Sequence, residues 1–143
     1  MPTPIIRQLK ANMKDDVEVT ILDSPPGASC SVVATLHDAD YVILVTEPTP
    51  FGLHDLKQMI GVISETGSLA GVIINRDGIG DSAVEDFLSK NGYPILMKIP
   101  YQENIAEGLA SGKLLIDIIP EFEDAFLNLY EMIKDQIHKE IHH

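Results

Sequence analysis

The sequence predicts an α/β fold, a mostly parallel sheet of about four strands with flanking helices. Short apolar runs rich in β-branched residues alternate with amphipathic segments, the pattern of βαβ units. The clearest run, residues 41–45, is continuously apolar rather than alternating, as a strand covered on both faces must be. Each apolar run also ends in a turn rich in Asp, Asn, Pro or Thr. At 143 residues, with 45% hydrophobic and 22% charged residues, the chain (residues 1–143) reads as one domain able to bury a core.

The elements follow in order. Ile5 to Met13 spaces Ile6, Leu9 and Met13 as one stripe of a short helix. Val17 to Leu22 begins by alternating and becomes apolar at Ile21 and Leu22, which predicts a first strand. Ala28 to Leu36 predicts a helix with Val32, Val33 and Leu36 facing inward. Tyr41 to Val45 is the second strand. Leu53 to Ile63 places Leu53, Leu56, Ile60 and Ile63 at helical spacing. Gly71 to Ile74 is the third strand, and Ser82 to Leu88 a helix with Asp81 or Ser82 as its cap. Pro94 to Ile99 is the fourth strand and Asn104 to Ala110 a helix. Glu121 to Ile137 is the longest helix, with Phe122, Phe126, Leu129, Ile133 and Ile137 along its stripe.

A net charge of −12 argues against nucleic acid or an anionic membrane as a partner, since both repel an acidic surface. Any phosphate bound here needs backbone N–H groups, a helix N-terminus, a metal or a basic group from elsewhere. With one cysteine, Cys30, the chain can build neither a disulfide nor an iron–sulfur cluster by itself, and a reducing, cytoplasmic setting fits. Cys30 reads first as a small buried residue near a helix start. Its alternative is a thiol of lowered pKa at a helix N-terminus. No apolar run approaches a membrane span, and Met1-Pro2-Thr3-Pro4 does not read as a signal peptide.

In open α/β sheets, ligands bind outside the carboxyl ends of the strands. Those ends are Asp23-Ser24-Pro25-Pro26-Gly27, Thr46-Glu47-Pro48-Thr49, Asn75-Arg76-Asp77 and Pro100-Tyr101. The first is the most distinctive. An Asp at a strand end can hold Mg²⁺, usually through water. Two prolines stiffen the turn, and Gly27 permits close backbone approach before a helix start. The same residues also suit a purely structural turn in which Asp23 bonds the loop backbone. His54 and Asp55 read as the opening of a helix, with Asp55 in its first turn. His37-Asp38-Ala39-Asp40 reads as a solvated helix end.

Ile21-Leu22-Asp23-Ser24-Pro25-Pro26-Gly27 resembles the second nucleotide motif of the MinD/ParA/Mrp group of P-loop ATPases. Val45-Thr46-Glu47-Pro48-Thr49 with Gly52-Leu53-His54-Asp55-Leu56 is similar to that group's next strand, loop and helix. Gly71-Val72-Ile73-Ile74-Asn75-Arg76 resembles its base-recognition strand. Ile99-Pro100-Tyr101 with Asn104-Ile105-Ala106-Glu107-Gly108 resembles its last strand and following helix. The order and spacing match across residues 17–116. The nearest flavour is the MinD-like ATPases of archaea and anaerobes that carry an inserted ferredoxin domain.

The resemblance implies a three-layer α/β/α partial P-loop NTPase fold and assigns roles. Asp23 would position Mg²⁺ through water. Gly27 would offer its N–H to the γ-phosphate of ATP. Asn75 would hydrogen-bond the adenine, and Pro100 and Tyr101 would line the base pocket. Thr46 and Glu47 would lie on the dimer-facing side of the nucleotide.

One part is missing from these residues. A P-loop needs GxxxxGK[ST] to wrap and neutralise phosphates. The nearest stretch, Gly108-Leu109-Ala110-Ser111-Gly112-Lys113, is one residue short and reads as a helix end with Gly112 as its cap. The chain is therefore expected to be the carboxy-terminal half of such a domain, without turnover alone, completed by a homodimer mate or a P-loop-bearing partner. Its expected work is ATP-driven switching tied to an iron–sulfur or redox partner. A non-catalytic interaction module is the alternative. In the family the P-loop strand lies between the strand ending at Asp23 and the strand Tyr41–Val45, so those two strands are expected to close up or to admit another chain's strand.

Overall fold

A computed structural model describes residues 16–142; the helix expected at Ile5–Met13 lies outside them. Three parallel strands, β1 (Val42–Thr46), β2 (Ala70–Asp77) and β3 (Ile95–Pro100), form one sheet in the order β1-β2-β3. Six helices accompany them among the described residues: α1 (Cys30–Leu36), α2 (Pro50–Thr66), α3 (Ala83–Asn91), α4 (Glu103–Ala110), α5 (Leu115–Ile118) and α6 (Glu121–Ile141). The α/β class and the parallel sheet are as the sequence predicts.

One sheet face carries Val42, Leu44, Ala70, Val72 and Ile74. Against it pack Val32 and Leu36 of α1, Leu56, Ile60 and Ile63 of α2, and Val84 and Leu88 of α3. The opposite face carries Ile73 and Leu96, covered by Leu129 and Ile133 of α6, with Tyr41 at the rim. The Tyr41 hydroxyl donates to Gln136 Oε1 of α6 at 2.7 Å, and burial raises its pKa. Helices on both faces give the three-layer α/β/α arrangement. Gly71 has no room for a side chain because Leu96 and the Tyr41 hydroxyl fill that space, which seats α6's cluster close to β2.

The expected first strand is a correction. Residues 17–22 form no strand and pair with nothing in the sheet. Val17, Val19 and Ile21 alternate but are all exposed, Ile21 at 88%. A strand gains from its ladder only when an edge lies beside it, and here local alternation found no partner. The segment is instead tied to α6, where Tyr130 donates to Glu18 Oε1 at 2.8 Å and Lys134 Nζ lies 3.8 Å away. The expected closing-up against β1 does not occur: among the described residues β1 pairs only with β2.

Four local readings also change. Cys30 is exposed rather than buried, since it opens α1 on the side away from the sheet. Val33 is exposed and Thr35 buried in its place, its hydroxyl donating to the Ser31 carbonyl at 2.9 Å. The helix α2 begins at Pro50, three residues earlier than its apolar stripe, because Thr49 accepts the Gly52 N–H and Pro50 suits the first helical position. Asp55 therefore lies beyond its first turn. The long strand β2 runs past Ile74 to Asp77, which carries Asn75 within the sheet's last ladder.

Candidate functional site

All three strands are parallel, so their carboxyl ends lie side by side. At the end of β1, the loop is pinned to the first turn of α2. The buried Thr46 hydroxyl donates to the Gly52 carbonyl at 3.0 Å, and the Thr49 N–H donates to the Glu47 carbonyl at 2.8 Å. Gly52 is required here, since an added Cβ would meet the Glu47 carbonyl. Glu47 is left half-buried at the loop's tip.

At the end of β2, Asn75 is half-buried and its Oδ1 accepts the Arg76 N–H at 3.0 Å. Arg76 has φ +52°, the left-handed conformation that non-glycine residues seldom adopt. Its guanidinium Nε lies 3.6 Å from Glu47 Oε1, an ion pair across the two loops. Arg76 is exposed and Glu47 only half-buried, so the pair contributes at most about 1 kcal/mol. The backbones meet as well: an added Cβ on Gly80 would collide with the Pro48 carbonyl.

At the end of β3, Pro100 stands opposite Asp77, and the Tyr101 N–H donates to the Asp77 carbonyl at 2.9 Å. Tyr101's ring is exposed. Lys98 bonds Glu85 at 2.9 Å, and that bond, with Asp77 nearby, holds its ammonium above its ordinary pKa.

Glu47, Asn75, Pro100 and Tyr101 are thus brought to one end of the sheet. Asp23 and Gly27 lie in residues 16–29, which hold no strand. Among the described residues no hydrogen bond or ion pair joins either to the other four. Gly27 does adopt φ +92°, a conformation that favours glycine, in open space. Asp23 supplies one exposed carboxylate, and no group of three His, Cys, Asp or Glu side chains converges among the described residues. Mg²⁺ usually keeps several waters and takes one or two carboxylates with phosphate oxygens, so Asp23 fits as one ligand, direct or through water, of a site shared with a nucleotide.

The Gly108–Lys113 stretch is a helix end. Gly112 has φ +81° just past α4, and Gly108 is packed against Ile118. His54 is exposed on α2 beside Gln58, and His37 lies 3.3 Å from Asp38 on the surface. Sequence reasoning missed Arg76 and Gly80. Arg76 was the only cation in the four strand-end turns of an acidic chain, and that was the available signal.

A parallel sheet flanked by helices, with its polar loops gathered at the strand carboxyl ends, is the layout of an open α/β nucleotide-binding domain. No family model matches the chain. An uncharacterized protein of Methanocaldococcus jannaschii is 36% identical over 104 residues, covering 73% of this chain and 35% of the relative. An uncharacterized ATP-binding protein of the same organism is 26% identical, covering 84% of this chain and 46% of the relative. The cytosolic Fe-S cluster assembly factor Nubp2 homolog of Aedes aegypti is 23% identical, covering 83% and 53% respectively. The cell division ATPase MinD of Pyrococcus furiosus superposes with a TM-score of 0.69 at 26% identity, over 92% of this chain and 57% of that one. The chain is related to the MinD/ParA-type P-loop ATPase superfamily. It spans about a third to a half of the length of the curated relatives it matches.

Proposed function

We propose that this chain supplies the base side and the switch side of a MinD/ParA-like ATP-binding domain whose phosphate loop comes from outside these 143 residues. The observation that carries the reading is the open flank of β1 beside the gathered loops. Its outer edge is unpaired among the described residues, and Ile43 and Val45 on one face are exposed. A parallel strand and covering element added there would bring a phosphate loop next to Glu47, Asn75 and Pro100.

In the completed site, Asn75 would read the adenine while Pro100 and Tyr101 line its pocket. Asp23 and Gly27 would face Mg²⁺ and the γ-phosphate once their segment, now unpaired, is drawn into the sheet. Glu47 would face a partner across the nucleotide, either a second copy or the P-loop-bearing polypeptide. The relative named as an Fe-S cluster assembly factor supports an iron–sulfur or redox client, and a cytoplasmic setting fits that reading.

The test is calorimetric. ATP·Mg²⁺ is titrated into the chain alone, then into the chain mixed with a polypeptide bearing KGGxGK[ST]. Weak or no binding alone and tight binding in the mixture are expected. Tight binding by the chain alone, or none in an assembled mixture, would overturn the reading. A second reading is an interaction module that keeps the fold without nucleotide. That no hydrogen bond or ion pair among the described residues joins Asp23 or Gly27 to the other four favours it, and assembly without ATP binding is its signature.

A further inference from the structure

We infer that Arg76 is a positioning residue that locks the carboxyl end of β2, which carries Asn75, and the loop after it to the loop after β1, which carries Glu47. The roles of Asn75 and Glu47 rest on the function proposed above. The coupling itself rests on geometry, from three separate contacts.

The first is the ion pair from Arg76 Nε to Glu47 Oε1 at 3.6 Å. The second is the Arg76 backbone, held at φ +52° with its N–H on Asn75 Oδ1. An unusual backbone conformation persists where its surroundings determine it. The same residue thus orients the Asn75 amide through its main chain and reaches Glu47 through its side chain. The third is the seating of Gly80 against the Pro48 carbonyl, where no side chain fits. The β1 loop is in turn fastened to α2 through Thr46, Thr49 and Gly52. A shift at Asn75 therefore has a short rigid route to Glu47 and the start of α2. The base side and the partner-facing side would move together.

Hydrogen exchange on the whole chain tests this by reading local opening at each amide. Arg76→Gly removes the side chain while suiting the left-handed backbone. Glu47→Gln removes the other partner. Each is expected to speed exchange in both loops, at Thr49 and Gly52 and at Ile79 and Gly80, by about two- to fivefold, the range an exposed ion pair can carry. The double variant should exceed neither single one, and Glu47→Arg with Arg76→Glu should restore protection in both loops. Gly80→Ala should loosen both loops with the ion pair intact. Faster exchange confined to the mutated loop, additive single effects, or no restoration by charge exchange would each overturn the coupling. Coupled exchange in a chain that never binds ATP·Mg²⁺, even with the P-loop polypeptide, would uphold the lock and remove the nucleotide reading.

Discussion

Val45 offers the sharpest test of the open flank of β1. In the register of the sheet, Tyr41, Ile43 and Val45 share one face, and Val45 stands beside Ile73. The helix α6 covers Tyr41 and Ile73, yet Val45 is left 64% exposed and Ile43 42% exposed. Full burial of a Val or Ile side chain is worth about 1.5–3 kcal/mol. Covering the exposed fraction of Val45 would therefore add about 1–2 kcal/mol, and that of Ile43 about 0.6–1.3 kcal/mol. In the isolated chain, Val45→Ser should change stability by no more than about 0.5 kcal/mol in urea unfolding. Leu44→Ala, one residue away on the covered face, should cost about 2–5 kcal/mol in the same assay. In calorimetric titration with the P-loop polypeptide the order reverses for binding. Val45→Ser should weaken assembly about 5- to 30-fold, and the pair Ile43→Ser with Val45→Ser about 15- to 250-fold. The reasoning fails if Val45→Ser leaves that affinity unchanged, or if it unfolds the isolated chain as readily as Leu44→Ala does.

Leu88 is fully buried between α3 and the sheet, so Leu88→Ala should lower stability by about 2–5 kcal/mol, seen as an earlier urea midpoint. Tyr41's pKa lies above its ordinary 10.0, so its contribution to stability is complete below that pH and is lost as pH rises through the folded value. Tyr41→Phe should remove that alkaline loss, followed by unfolding across the tyrosinate range. Gly27→Ala meets nothing within 4 Å and should cost the isolated chain no more than about 1 kcal/mol for its positive φ. In the assembled mixture the same change should abolish discrimination between ATP·Mg²⁺ and ADP·Mg²⁺ in calorimetry.

Several elements were legible because local chemistry and burial agree. Residues 41–45 are continuously apolar, and they supply most of the strand that α2 covers through Leu56, Ile60 and Ile63. The α6 stripe was readable from spacing, with Phe122 and Leu129 buried as expected, while Phe126 stays partly exposed. Val17, Val19 and Ile21 misled because alternation marks a capacity to pair and does not choose a partner; the segment bonds to α6 through Glu18 although β1 has an unpaired edge among the described residues. Val33 and Thr35 exchanged places because a seven-residue helix has too few turns to define its inward face.

The turns that hold Glu47, Asn75, Pro100 and Tyr101 could be named from the strand ends alone, because parallel strands deliver those turns to one end of a sheet, while the choice of these four within them came from the family resemblance. By itself, then, the sequence determined the α/β class, the order of most elements and the end at which the polar loops collect. These follow from hydrophobic period and turn chemistry, which are local. Only the tertiary structure decided that residues 17–22 lie off the sheet, that β1 keeps an unpaired edge among the described residues, and that Arg76 bridges to Glu47. Each of those depends on which surfaces meet across tens of residues, and local pattern carries no record of such meetings.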